Sequence, residues 1–476
     1  MWMRIGMTLG LLAALGCSTA ATDPVERAQM QQELSAIADS LKLPRAYNLI
    51  HELVGPSVVS IHTRERRAIA RWGRIVETRE MDVGEGSGFV FHTDDEGSYI
   101  VTNAHVVVRT NQRQEFIRTG TANQPVWYDT IQIKTHDERM LTAEPVGADL
   151  QSDLALLKVL DVNLQPITWG DSDAVHVGDH VLALGYPLGV GYSATGGIVS
   201  ATGRNTGIYG EERGYESFIQ TDASINPGNS GGPLMDMHGT VIGVNANIVS
   251  RTGGSVGLGF AIPSNLARRV AEDLLDDGRI ARPMVGIWMD ELKPLEAEQL
   301  GIANRQAVRI TLVMPRSPAE TAGLQDNDII TAIGGADLQG IQQFRSRIAS
   351  TRPGDGVPFT VWRDGKLLEL TVRPVTEEEL HRNVDQAFAA DESRIARLPN
   401  YGLMLIDDGL RGAKIHHVEP GSVAARAGLQ AGDRIMRVYE VGQVTEVKPL
   451  EQLDKRRELV ADVYRNGSLL TFRLRQ

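Results

Sequence analysis

The stretch Thr221-Asp222-Ala223-Ser224-Ile225-Asn226-Pro227-Gly228-Asn229-Ser230-Gly231-Gly232-Pro233-Leu234 sets one serine among glycines and prolines, between two runs that read as strands. A tight loop of this composition points the Ser230 hydroxyl outward and aims backbone N–H groups at one spot. Gly228 has no Cβ, so the chain there can turn freely and let a substrate approach closely. The N–H groups of Gly228 and Ser230, with Asn229 between them, are a candidate oxyanion hole. Losing one such donor typically costs about 10²–10³ in rate.

A serine hydroxyl is a weak nucleophile and needs a base, and the base needs an orienting group. Upstream, Tyr99-Ile100-Val101-Thr102-Asn103-Ala104-His105-Val106-Val107 places His105 at the end of a strand-like apolar run. Between the two, Ser152-Asp153-Leu154-Ala155-Leu156-Leu157-Lys158-Val159 places Asp153 at the start of another. Each residue alone has an ordinary structural reading: a turn serine, a histidine after a strand, an aspartate before one. Together they occur in the order His105, Asp153, Ser230 of trypsin-like proteases, at matching strand edges, and that combination points to catalysis.

Thr102-Asn103-Ala104-His105-Val106-Val107, Ser152-Asp153-Leu154-Ala155-Leu156-Leu157-Lys158 and Gly228-Asn229-Ser230-Gly231-Gly232-Pro233-Leu234 resemble the HtrA/Deg family of trypsin-like serine proteases. The resemblance runs from about Tyr47 to the C-terminus. It implies a mainly β fold, a chymotrypsin-like double β-barrel followed by two PDZ domains of α+β type. The expected division is a signal peptide over 1–21, a tether over 22–46, the protease over 47–280, a first PDZ domain over 281–375, a linker over 376–399 and a second PDZ domain over 400–476.

Composition fits this plan. The 476 residues suit about three domains, and 42% hydrophobic residues supply cores. A net charge of −12 argues against nucleic acid as a main partner, because phosphate binding needs a basic face. Met1 to Gly16, one arginine then a short apolar run, reads as a signal peptide and is too short to span a bilayer. The single cysteine, Cys17, excludes an intramolecular disulfide. Ala14-Leu15-Gly16-Cys17 resembles a lipobox, which makes Cys17 a lipidation candidate; ordinary cleavage after Ala20 is the alternative. Both imply the bacterial periplasm or cell envelope, with a possible lipid anchor in the first case.

Within the protease, Thr63 to Asp82 is rich in arginine and glutamate without a clear period and reads as a loop. In the family a loop here can regulate the active site or reach a neighbouring subunit; a plain solvated loop is the other reading. Gly84-Glu85-Gly86-Ser87-Gly88-Phe89 is a glycine-rich turn into a strand, resembling the family's stretch that leads toward the histidine; no Gly-Lys-Ser/Thr makes it a phosphate loop. His105 and Asp153 lie 48 residues apart, longer than is usual in the family, so an insertion is expected between Arg109 and Tyr128. Ser224, six residues before Ser230, offers a hydroxyl and no countercharge for Lys or Arg. With Ala246, Asn247 and Ile248 it forms the candidate substrate pocket, and the resemblance implies a preference for small or medium aliphatic side chains. Ser264 is a candidate N-cap for a helix with Leu266, Val270 and Leu274 on one face.

The remainder is duplicated. Pro315-Arg316-Ser317-Pro318-Ala319-Glu320-Thr321-Ala322-Gly323-Leu324 matches Pro420-Gly421-Ser422-Val423-Ala424-Ala425-Arg426-Ala427-Gly428-Leu429, with Asp328 and Asp433 at the same offset. Two copies make a duplicated module rather than a solenoid, and the pattern resembles PDZ domains, which bind a peptide C-terminus by adding a strand to a sheet edge. Met284-Val285-Gly286-Ile287 matches the carboxylate-binding loop. Tyr401-Gly402-Leu403-Met404 is the weaker counterpart, and that module could serve assembly instead. The resemblance implies a homotrimer acting on unfolded or misfolded proteins, with C-terminal peptides as PDZ ligands. No cofactor or metal is expected, since no His-Glu-x-x-His spacing occurs. Two other readings stay open: a chaperone or PDZ scaffold whose protease is latent, and a regulatory protease with one dedicated substrate.

Overall fold

Ser98-Tyr99-Ile100-Val101-Thr102 is aromatic and β-branched, a composition that fits a buried pleated surface. It forms an inner strand buried along its whole length, Gly97–Asn103. The computed structural model describes residues 43–475 apart from 72–73, 112–115, 120–123, 188–190, 207–215, 249–253, 305, 389–394, 407–411, 441–442, 446–452, 454–457 and 466–467. The expected signal peptide, Cys17 and most of the tether lie outside the described residues. Residues 50–476 form one compact unit. Helix α1, Leu43–Val54, spans its beginning.

Seven antiparallel strands build the first half of the protease: β1 Val58–Arg71, β2 Arg74–Asp94, β3 Gly97–Asn103, β4 Thr130–Lys134, β5 Met140–Thr142, β6 Glu144–Asp149 and β7 Leu154–Leu160. Their order is β5-β4-β1-β2-β3-β7-β6. Val59, Ile61, Val90, Ile100, Ile131, Ile133 and Leu157 share their core. The second half is a closed barrel of β8 His180–Gly185, β9 Ser193–Arg204, β10 Phe218–Thr221, β11 Pro233–Met235, β12 Val241–Ile248 and β13 Gly259–Pro263, ordered β8-β9-β10-β13-β12-β11.

The stretch from Thr63 to Asp82 is not a loop. β1 and β2 stay paired from Val58↔Phe89 out to Arg71↔Arg74, with register shifts at Thr63/Arg64 and Ile69/Ala70. Cross-strand ion pairs hold this ribbon: Arg64 with Asp82 at 2.7 Å and Arg66 with Glu80 at 3.1 Å. Glu77 to Asp82 are exposed, so no apolar side of a period-2 pattern marks the strand there. Part of the insertion between Arg109 and Tyr128 forms its own short pairing, Arg118–Thr119 with Gln124–Pro125, and Phe116 and Trp127 pack on the first core.

Helix α2 is the single turn Ala104–Val107 and helix α3 spans Ser264–Asp276. Leu266, Val270 and Leu274 are buried as their spacing requires. Ser264 is not the N-cap; Pro263 is, and the Ser264 hydroxyl donates to the Gly170 carbonyl at 2.9 Å.

The two later modules repeat one topology. The first orders β15 Ile287–Glu291, β16 Val308–Val313, β17 Ile329–Ile333, β19 Val357–Arg363 and β20 Lys366–Val372, with β18 Ala336–Asp337 beside β17. A separate pair joins β14 Pro283–Met284 to β21 Val375–Thr376. The second orders β22 Ile395–Leu398, β23 Leu403–Ile406, β24 Ala413–Val418, β25 Arg434–Glu440, β27 Glu458–Arg465 and β28 Ser468–Arg475, with β26 Gln443–Thr445 beside β25. Each carries the same clamp, a buried aspartate held by a partly exposed arginine. Arg363 meets Asp328 through two 2.6 Å hydrogen bonds and reaches the Gly323 carbonyl at 2.8 Å. Arg465 does the same with Asp433 at 2.6 Å and the Gly428 carbonyl at 2.7 Å.

The acidic stretch from Thr376, expected as a linker, contains a load of apolar contacts between modules. After α4 Pro294–Gln299, α5 Pro318–Thr321 and α6 Ile341–Ala349, helix α7 spans Glu377–Phe388. Its Leu380 and Val384 are buried with Leu312 and Met314 of the first module and Met436 and Tyr464 of the second.

Removing Asp328 strips Arg363 of its charge-assisted hydrogen bonds but leaves that arginine partly solvated. Asp328→Ala is therefore expected to destabilise the chain by about 1–3 kcal/mol. Urea unfolding checks this; a loss no larger than that of an exposed control substitution would contradict it.

Candidate active site

His105 and Asp153 are brought together by two strand ends. β3 and β7 pair in register from Gly97↔Leu160 to Asn103↔Leu154, so the residues at either mouth of this ladder face each other. The Asp153 carbonyl accepts from Ala104 N–H at 3.0 Å and from the Asn103 side-chain amide at 2.9 Å. One carboxylate oxygen of Asp153 accepts from His105 N–H at 2.9 Å, and the other lies 2.6 Å from His105 Nδ1. Asp153 is fully buried and sits at φ 57°, the left-handed region uncommon for residues other than glycine but more open to aspartate. Burial opposes a charged imidazole, but the Asp153 charge and hydrogen bond outweigh it, so His105 titrates above its ordinary value of 6.5.

The Ser230 loop begins with a β-turn, Asn226-Pro227-Gly228-Asn229, closed by Asn229 N–H to the Asn226 carbonyl at 3.0 Å. Proline fixes φ at its second position and Gly228 takes φ 101° at its third, which is the type II pattern. Among the described residues, the N–H groups of Gly228 and Ser230 have no acceptor, whereas the Asn229 N–H is used inside the turn. Gly231 presses against the first sheet: a Cβ there would lie 2.2 Å from the Ser87 carbonyl oxygen and 2.3 Å from Thr102 Oγ1. This close approach puts the loop beside Thr102-Asn103, immediately before the His105 turn. The Ser230 hydroxyl itself points to the Ala246 carbonyl at 3.3 Å.

Of the four candidate pocket residues, Ser224 is exposed. Its carbonyl accepts from Thr195 Oγ1 at 2.8 Å and more weakly from the Asn229 amide at 3.4 Å. Ala246 is buried. Asn247 and Ile248 lie on β12, paired with Phe260 and Gly259, and their side chains are outside the described residues. Two contributors had no distinguishing sequence signal. Asn226 accepts from Ser255 N–H at 2.9 Å through its side chain. Ser87 joins the first sheet to the loop, since its N–H donates to the Ser230 carbonyl at 2.8 Å.

Residues 86–244 match the model for a trypsin-like peptidase domain and residues 283–373 the model for a PDZ domain. The periplasmic pH-dependent serine endoprotease DegQ of Escherichia coli is 36% identical over 92% of this chain and 94% of its own. The chain belongs to the HtrA/Deg family of serine endoproteases. A probable periplasmic serine protease do/HhoA-like of Haemophilus influenzae is 34% identical over 80% of this chain and 78% of its own. A solved structure described as HtrA-type protease AlgW with decapeptide is 34% identical, covering 69% of this chain and 98% of that one, with a TM-score of 0.48. The chain is thus a periplasmic serine endoprotease carrying trypsin-like and PDZ domains.

The loops 284–287 and 401–404 of the two duplicated modules are built alike and differ at their edges. In the first module, the Val285 and Gly286 carbonyls accept from Ala319 N–H at 3.0 Å and Met314 N–H at 2.9 Å. The following strand, β15, ends its sheet, and its Glu291 side chain accepts from Ile341 N–H at the start of α6 at 2.9 Å. In the second module, the Tyr401 and Gly402 carbonyls accept from Ala424 N–H at 3.1 Å and Glu419 N–H at 2.8 Å. Here the equivalent strand β23 is not terminal, because β22 pairs with it antiparallel from Leu398↔Leu403 to Ile395↔Ile406. The chain's own strand fills that edge, with Ala396 and Leu398 buried in the module core.

A histidine acting as base must be neutral. With its titration raised by Asp153, kcat/KM on a peptide substrate should be lost as pH falls through a midpoint above 6.5. A pH–rate profile checks this; a midpoint at or below that value would contradict it.

Proposed function

We propose that this periplasmic endoprotease cuts unfolded or misfolded polypeptides with Ser230 as nucleophile. The observation that supports this reading most is the double engagement of one buried carboxylate, Asp153, with the His105 backbone and Nδ1, next to a loop whose Gly228 and Ser230 N–H groups have no acceptor among the described residues. The Asp153 bond holds the tautomer with Nδ1–H, leaving Nε2 as base. The Ser230 hydroxyl turns from the Ala246 carbonyl toward Nε2, gives up its proton and attacks the peptide carbonyl. The two N–H groups stabilise the resulting oxyanion, and His105 then protonates the leaving amine. Water, activated by the same imidazole, hydrolyses the acyl-enzyme. Asn229 serves the turn rather than the oxyanion. Ser224, Ala246, Asn247 and Ile248 form the pocket for a small or medium aliphatic side chain.

Peptide capture falls to the first PDZ module. Met284, Val285, Gly286 and Ile287 receive the terminal carboxylate on backbone N–H groups, and the peptide adds as a strand to β15. The free edge of β15 supports this, as does the opposing helix α6.

Cleavage of an unfolded model protein by wild type beside Ser230→Ala tests the nucleophile. Loss of a triad member should cost on the order of 10⁶ in kcat, since its members act as a unit; residual cleavage near wild type would overturn the assignment. Hydrogen exchange with a peptide ending in apolar residues tests the groove. Amides of 287–291 should gain protection and those of 403–406 should not; the reverse pattern would move the receptor to the second module.

A further inference from the structure

The Ser87 side chain sits where three elements meet. It is fully buried on β2. Its hydroxyl donates to the Gly228 carbonyl at 2.6 Å and accepts from Tyr186 N–H, just past β8, at 2.9 Å. Its backbone is fixed on both sides: Ser87 N–H donates to the Ser230 carbonyl at 2.8 Å, and Thr102 Oγ1 donates to the Ser87 carbonyl at 2.7 Å. The space around it is shaped by glycines. A Cβ on Gly185 would lie 2.8 Å from Ser87 Oγ and one on Gly232 3.2 Å from Ser87 Cβ.

We propose that Ser87 is a positioning residue for the oxyanion site, acting through the Gly228 carbonyl; this rests on the assignment of Ser230 as nucleophile. The Gly228 N–H lies in the Pro227–Gly228 peptide plane, and Gly228, at φ 101°, is a free joint between that plane and the next. The next plane carries both the Gly228 carbonyl and the Asn229 N–H. The turn closure from Asn229 to Asn226 holds it on one side and the Ser87 hydroxyl on the other. Ser87 thus restrains the plane against which the Gly228 N–H is set. The same oxygen ties the loop to Tyr186, so the orientation of the two N–H donors depends on the first sheet and on the end of β8 together. Ser87 touches neither substrate nor reacting atoms. Its removal should therefore raise the barrier to the charged intermediate and leave ground-state binding alone.

The test compares full-length wild type, Ser87→Ala and Ser87→Cys on one peptide substrate, with a peptide aldehyde as mimic of the tetrahedral adduct. Ser87→Ala should lose about 10² in kcat, the cost of misplacing one oxyanion donor, with KM unchanged. Aldehyde affinity should fall by the same factor. Binding of uncleaved peptide to Ser230→Ala should be matched by the Ser87→Ala/Ser230→Ala double variant. Ser87→Cys, which keeps a weak donor and acceptor, should fall between. A merely structural role would weaken peptide and aldehyde alike, or lower activity only in proportion to folded protein, and either result overturns the proposal, as does wild-type kcat in Ser87→Ala. Ser230→Ala run in the same assay separates failure of the nucleophile assignment from failure of this one.

Discussion

Everything at the candidate catalytic centre depends on how one buried carboxylate is satisfied. Taking a charge out of water is costly unless hydrogen bonds and an opposite or polarisable partner compensate it. Asp153 meets that demand with the His105 backbone N–H on one oxygen and the imidazole on the other. Its own backbone is held by Asn103 and Ala104, and a left-handed φ of 57° is tolerated to make the geometry close. Strain of this kind persists where surrounding structure over-determines it. Here the β3–β7 ladder does so.

His105, Asp153 and Ser230 were legible as a candidate triad because they fall where regular structure stops. His105 follows β3, Asp153 precedes β7, and Ser230 stands in a turn between β10 and β11. Strand composition, turn chemistry and residue type all point the same way at these places. Ser87 was not distinguished from its glycine-rich neighbours, because its role consists of partners more than a hundred positions away in some cases, such as Gly228. A one-dimensional pattern carries no trace of such a contact.

The same reasoning explains the other departures. The ribbon beyond Thr63 is exposed along much of β2, so its strands lack apolar alternation and read as a loop. Ser264 has the chemistry of a cap but spends its hydroxyl on Gly170. The stretch after Thr376 reads as a linker, yet it forms a helix whose Leu380 and Val384 bury between the two modules. In the second module the duplicated loop is present, but β22 occupies the sheet edge. Sequence similarity between the copies could not reveal that difference, since β22 lies outside the repeated segments.

Reaction with a fluorophosphonate, read by intact mass and peptide mapping, tests the account most directly. One adduct per chain is expected, on Ser230, forming faster as pH rises through the His105 titration and nearly absent in Asp153→Ala. Labelling at another residue, or labelling of Ser230 that is indifferent to pH and to Asp153, would contradict the account.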